Sequence, residues 1–150
     1  MNAMALTLPT ELQWRRVPLT TGPAAAGEAR RQVRAAIGTW DIPVDLSVAE
    51  LLTSELVTNA ITHVAGGTVT LAIACSSGQL RVDVYDTSCS LPVLVDASAD
   101  AETGRGLMLV ATLSTEWGFY RLPAGKAVYF TLAFQPRLAQ VGEGVQAWGR

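Results

Sequence analysis

Lysine is nearly missing from this sequence: Lys126 is the single one among eleven basic residues, the rest being arginine. That excludes most chemistry that depends on a reactive lysine amine. Histidine also occurs once, as His63, and cysteine twice, as Cys75 and Cys89. Two thiols and one imidazole cannot make a structural zinc quartet, and the cysteines are not in the C-x-x-C spacing of a redox pair. Charge is sparse, at 16% of residues, while 49% are hydrophobic. A chain of that composition can fold around a core, unlike a disordered one. Basic and acidic residues number 11 and 13, for a net charge of −2. The basic excess or clustered stripe of a nucleic-acid binder is absent, so no direct nucleic-acid partner is expected. No apolar run approaches the ~18 residues that would span a membrane. No basic segment followed by an apolar core opens the chain as a secretory leader would. The expectation is a cytoplasmic protein with no membrane partner. Its 150 residues suit one domain, large enough to bury roughly 70% of the unfolded surface without a disulfide or metal staple.

What is present is strongly patterned. Residues 1–10 read as a flexible N-terminus, residues 11–134 as the domain, and residues 135–150 as a poorly ordered tail. Leu12, Trp14 and Val17 mark a first strand ending at Leu19. Thr21-Gly22-Pro23 starts a helix in which Ala29, Val33, Ala36, Ile37 and Trp40 recur at helical spacing. Arg30, Arg31 and Arg34 lie mostly off that stripe and read as a solvated face. A second helix runs from about Leu46 to His63 and stops at Gly66-Gly67. Val69, Leu71, Ile73 and Cys75 alternate on one strand, and Leu80, Val82 and Val84 on the next, joined at Ser77-Gly78. A polar, small-residue segment then runs from Asp86 to Thr103, long enough to suggest a lid or binding loop. A helix from about Gly106 to Glu116 and two strands, Trp117 to Leu122 and Ala127 to Phe134, complete the domain. The order β-α-α-β-β-α-β-β predicts an α+β fold: a two-layer sandwich with a mixed, mostly antiparallel sheet covered on one face by helices.

Three features break the apolar pattern. On the second helix, Glu55 and Asn59 are one turn apart and share a face. They fit either a polar rim or the wall of a site pairing one base with one neutral oxygen donor, both suited to a hard cation such as Mg²⁺. Asp86 closes an apolar strand, either as a turn former or as an acceptor for a ligand amine. Thr103-Gly104-Arg105-Gly106-Leu107 puts paired glycines before an apolar helix, where free N–H groups and the dipole would favour an anion. It is neither a Walker A loop nor a dinucleotide fingerprint.

Taken together these segments resemble a known superfamily. Glu55-Leu56-Val57-Thr58-Asn59-Ala60 resembles the N box of the GHKL (Bergerat-type) ATPases, which include gyrase, heat-shock chaperones, histidine kinases and MutL. Val84-Tyr85-Asp86 resembles the start of the first glycine box, and Gly104-Arg105-Gly106-Leu107 the second. The small size, the Trp14 strand, Trp117-Gly118 and the strand from Gly125 to Leu132 are similar to stand-alone anti-sigma factor serine kinases of the RsbW type. The resemblance implies a histidine-kinase-like ATPase domain using ATP and Mg²⁺. Glu55 would be the general base, Asn59 the metal ligand, and Asp86 the acceptor of the adenine amino group. Gly104, Arg105, Gly106 and Leu107 would carry the phosphate lid, with His63 and Lys126 as neighbours of the phosphates.

The same resemblance implies an ATP-dependent protein serine kinase that acts on a small antagonist protein of anti-anti-sigma type, also binds a sigma factor, and can pair as a homodimer. The alternative is a non-catalytic switch module that binds ATP or only a protein; a third is a plain ATPase subunit. Several positions depart from the family pattern. Thr87, Ser88, Cys89 and Ser90 follow Asp86 in place of glycines, Thr62 stands where a basic residue often follows the N box, and Lys126 replaces a threonine. Lys126 would either supply charge to the site or point to water. His63 would either border the phosphates or cap the end of its helix through the dipole.

Overall fold

The period-two alternation resolves into strands β1 (Gln13–Leu19), β2 (Val69–Ser76), β3 (Gln79–Asp86), β4 (Glu116–Leu122) and β5 (Gly125–Ala133). The helices are α1 (Ala25–Thr39), α2 (Leu46–Thr62) and α3 (Ala101–Leu113). The computed structural model describes residues 12–62, 68–87 and 101–135, with the backbone alone for 101–105. The segments expected to be a flexible N-terminus, a C-terminal tail and most of the polar loop, together with His63, Gly66, Gly67 and Cys89, lie outside the described residues.

The strands form one sheet in the order β1-β2-β3-β5-β4. All four described pairings are antiparallel, so the mixed element of the expected sheet is not seen among the described residues. Ser77 and Gly78 both have positive φ, 49° and 78°. That is the backbone a two-residue hairpin needs, and it sets the register of β2 on β3.

One face of the sheet is apolar. Leu71 and Ile73 from β2, Leu80, Val82 and Val84 from β3, and Phe130 from β5 are almost fully buried. They pack beneath the helices with Ala29, Val33, Leu52, Leu56 and Val57. The Asp45 side chain accepts from the Val48 N–H at 3.1 Å and caps α2. The arginines of α1 do more than face water. Arg34 makes two hydrogen bonds to Glu50 of α2, at 2.8 and 3.0 Å, and Arg30 donates to Ser54 Oγ at 2.7 Å. These bonds fix α1 against α2 along the rim of the core.

Helix α3 differs from the expected span at both ends. It starts at Ala101, because Ala101-Glu102 are good helix formers and the glycines behind them are tolerated inside a helix. It stops at Leu113, because the Thr115 N–H is taken by the Thr131 carbonyl at 2.8 Å and the next residue pairs into the sheet. No helix among the described residues is long and apolar enough to cross a membrane.

The other sheet face carries a polar network. Arg81 pairs with Asp83 through two hydrogen bonds, at 2.8 and 3.0 Å, and its guanidinium lies 3.9 Å from the centroid of the Tyr129 ring. Tyr120 donates to Asp83 Oδ2 at 3.0 Å, and Arg16 lies over the Tyr85 ring. Burial, then the Tyr85 hydrogen bond and the charge of Asp83, push the Tyr120 hydroxyl above the usual tyrosine range. A tyrosine whose folded pKa exceeds its unfolded value of about 10 contributes stability below that pH and loses it as pH rises further. Urea unfolding midpoints should therefore fall more steeply between about pH 9.5 and 11.5 in the native sequence than in Tyr120→Phe. At neutral pH that substitution should cost about 1 kcal/mol, by loss of the donor to Asp83.

Candidate functional site

Helix α2 lies on the apolar sheet face, yet three polar residues interrupt its inner side. Thr53 is fully buried and spends its hydroxyl on the Ala49 carbonyl one turn back, at 2.7 Å. Asn59 is 8% exposed, and its Oδ1 accepts no hydrogen bond from the described residues. An orphaned buried acceptor costs roughly 1–3 kcal/mol, a cost offset if something outside the described residues supplies a donor or a cation. Glu55, one turn earlier, is half-buried at the rim.

Glu55 is held close to α3. A β-carbon built at Gly106 would lie 2.5 Å from Glu55 Oε1, so the carboxylate rests against bare backbone of α3 and would have to shift if that position carried a side chain. This places one of the expected lid glycines directly against the expected base. The setting differs from the expected one, however. Gly104 and Gly106 are the fourth and sixth residues of α3 rather than residues in front of it. Gly106 thus lies beyond the four N–H groups that a helix start leaves unpaired, and the anion site expected from free N–H groups there does not form at Gly106. Leu107 is buried, 1% exposed, and packs inward. The side chain of Arg105, like His63, lies outside the described residues.

The tip of β3 holds a second cluster. Asp86 continues the inward series of Val82 and Val84, and in the β3–β5 register it stands directly opposite Lys126. Lys126 Nζ donates to both carboxylate oxygens, at 3.0 and 2.9 Å. The two side chains are 1% and 0% exposed. Lys126 therefore does not point to water: it closes an ion pair inside the fold. Gly125 makes the closeness feasible. Its φ is +157°, and a β-carbon there would lie 2.0 Å from the Asp86 carbonyl oxygen. The start of β5 is thereby pressed against the end of β3.

Sequence reasoning passed over the cluster on the opposite face, where Arg16, Tyr85, Tyr120 and Gly125 line a cavity of about 400 Å³. Its signal was available: Arg81, Asp83 and Tyr85 alternate with Leu80, Val82 and Val84, so β3 is polar on one face and apolar on the other.

Residues 19–132 match the family described as the histidine kinase-like ATPase domain, well over half of the chain. The chain belongs to that family. No curated protein matches it. Among solved structures it is similar to the RsbU and RsbW domains of a Mycobacterium tuberculosis protein, with TM-score 0.60 and 22% identity over 81% of this chain and 32% of that one. It is also similar to the histidine kinase domain of a blue-light activated histidine kinase from Erythrobacter litoralis, with TM-score 0.47 and 25% identity over 77% of this chain and 64% of that one. The chain thus spans about a third of the first relative and under two thirds of the second. The first likeness agrees with the fold: a five-stranded antiparallel sheet under three helices. A histidine kinase-like ATPase domain is an ATP-binding fold, and the residues can be tested against that ligand. At the α2 end they suit it, since the Asn59 oxygen and the nearby Glu55 carboxylate are hard oxygen donors fit for the divalent cation that would accompany the phosphates. At the β3 end both oxygens of Asp86 accept from the Lys126 ammonium inside the fold.

The buried pair makes a prediction about stability. Lys126→Met leaves an uncompensated carboxylate inside the fold and should lower the unfolding free energy by about 3–5 kcal/mol. Lys126→Met combined with Asp86→Asn should recover most of that loss. Urea denaturation of the four sequences at neutral pH gives the coupling directly.

Proposed function

We propose that this chain is a magnesium–ATP-dependent regulator acting as a protein serine kinase of anti-sigma factor type on a small antagonist protein. The observation that supports the reading best is the buried Asn59 Oδ1, which accepts no hydrogen bond among the described residues, one turn from Glu55, which in turn lies against Gly106 of α3. In a histidine kinase-like ATPase domain such a pair suits a metal–phosphate site.

Asn59 would hold a magnesium ion through its side-chain oxygen, and the ion would neutralise charge on the phosphates. Glu55 would act as the general base and accept the proton of an attacking serine hydroxyl. The serine oxygen then bonds to the γ-phosphorus as the bond from that phosphorus to the β,γ-bridging oxygen breaks. ADP leaves with the electron pair and Glu55 keeps the proton. The protein surface that presents this site would also bind the antagonist protein and a sigma factor.

A second reading, a non-catalytic switch module that binds nucleotide and signals through order in its lid, is favoured by two observations. Thr87 to Ser90 replace the glycines after Asp86, and Asp86 is paired with Lys126.

One set of variants separates the two. For a kinase, protein with radiolabelled ATP and Mg²⁺ phosphorylates a serine on an antagonist protein. Glu55→Ala should then lower labelling by about a hundredfold or more while ATP affinity stays within about threefold. Asn59→Ala should weaken Mg²⁺-dependent ATP binding about tenfold in either reading. ATP binding with neither labelling nor turnover leaves the switch module. Calorimetry showing no ATP binding with Mg²⁺ present would remove the kinase and the nucleotide-binding switch, and leave only a module that binds a protein without nucleotide.

A further inference from the structure

We propose that the sheet face turned away from the helices carries a ligand site of its own, a cavity that takes a small aromatic carboxylate, with Arg16 as the cation and Tyr85 and Tyr120 as walls. It does not depend on nucleotide binding, because these side chains stand on the opposite side of the sheet from α2.

Strand parity assembles the cavity. Tyr85 alternates with the inward Val84 on β3, and Tyr120 reaches the same face from β4. Both pair with Ala127 of β5, one from each side. The short side chain of Ala127 lets the two tyrosines lean together, with their oxygens 3.4 Å apart. Arg16 enters from β1, its guanidinium 4.9 Å from the centroid of the Tyr85 ring. Leu122 and Ala124 add apolar surface and Thr70 a hydroxyl to a space of about 400 Å³. Pockets for small molecules typically measure about 300–1,000 Å³.

The same face shows what completes such an arginine. Arg81 lies over the Tyr129 ring and donates to both oxygens of Asp83, which also accepts from Tyr120. Arg16 repeats the first half of that arrangement, a guanidinium over a tyrosine ring beside tyrosine hydroxyls. It lacks the second half: among the described residues no carboxylate pairs with it and no acceptor takes its N–H groups. A guanidinium keeps a planar fork of donors that matches the two oxygens of a carboxylate. Tyr120 gives its proton to Asp83, so the Tyr85 hydroxyl has its own proton to offer a ligand. Asp83 is paired with Arg81 and Asp86 with Lys126, which leaves Arg16 as the unmatched charge at the cavity. Charge alone would hold little there, because Arg16 is exposed and surface ion pairs are weak. The tyrosine, leucine and alanine walls must contribute, and they select an anion that carries a ring over a bare one.

The test is titration of the isotope-labelled full chain with benzoate, followed through its amide chemical shifts. Saturable binding is expected with a Kd below about 1 mM, with the largest shifts at Arg16, Thr70, Tyr85 and Gly125. Benzamide, which keeps the shape without the charge, and acetate, which keeps the charge without the ring, should each bind about tenfold more weakly or worse. Arg16→Gln should weaken benzoate about tenfold or more while the spectrum stays that of the folded protein, since Arg16 is exposed on an edge strand. Tyr85→Leu should weaken it as well, by removing both ring and hydroxyl. If that variant fails to fold, Arg16→Gln and the two control ligands still decide. The proposal is overturned if benzoate does not saturate the native protein or shifts amides elsewhere. It is equally overturned if folded Arg16→Gln binds benzoate unchanged, or if benzamide or acetate matches benzoate.

Discussion

The antiparallel sheet can bury only one face, and everything else in the molecule is arranged by which residues fall on it. Strand alternation sends Leu80, Val82 and Val84 beneath the helices and Arg81, Asp83 and Tyr85 to the other side. The apolar set is covered by α1 and α2, themselves joined by Arg34–Glu50 and Arg30–Ser54. The polar set satisfies itself through an arginine stacked on Tyr129 and a carboxylate shared with Tyr120. The same parity carries Asp86 and Lys126 inward at the end of their strands, where charges are expensive to bury and must find each other.

Polar groups on the buried face divide into those that are satisfied and those that are not. Thr53 returns its hydroxyl to its own helix, and Asp86 and Lys126 neutralise each other. Asn59 alone keeps a buried oxygen without a hydrogen bond among the described residues. A satisfied polar group needs no ligand to explain it. An orphaned acceptor one turn from a carboxylate is the feature that points outward from fold to function. Its neighbourhood includes Gly106 of α3, against whose bare backbone the Glu55 carboxylate rests.

The two ends of the candidate site differ in kind. The α2 end offers oxygen donors with spare capacity. The β3 end holds a buried carboxylate paired with the lone lysine of the sequence.

Much of this was legible in the residues. Hydrophobic periodicity placed all eight elements in order, because strands and helices expose their inward faces at different periods, and it set Glu55 and Asn59 on one helical face. The motifs around Glu55, Asp86 and Gly104 to Leu107 carried the family. What the linear chain did not disclose were relations between distant segments. The extent of α3 depended on competition between its own hydrogen bonds and the sheet pairing of Thr115 and Glu116. The function of Lys126 depended on a register that brings residues forty positions apart to within 3.0 Å. Local pattern determines what each segment can become, since propensity and periodicity act over a turn or a strand. Which charges meet in the interior is decided only when strands pair and the loss of water forces each buried group to choose a partner.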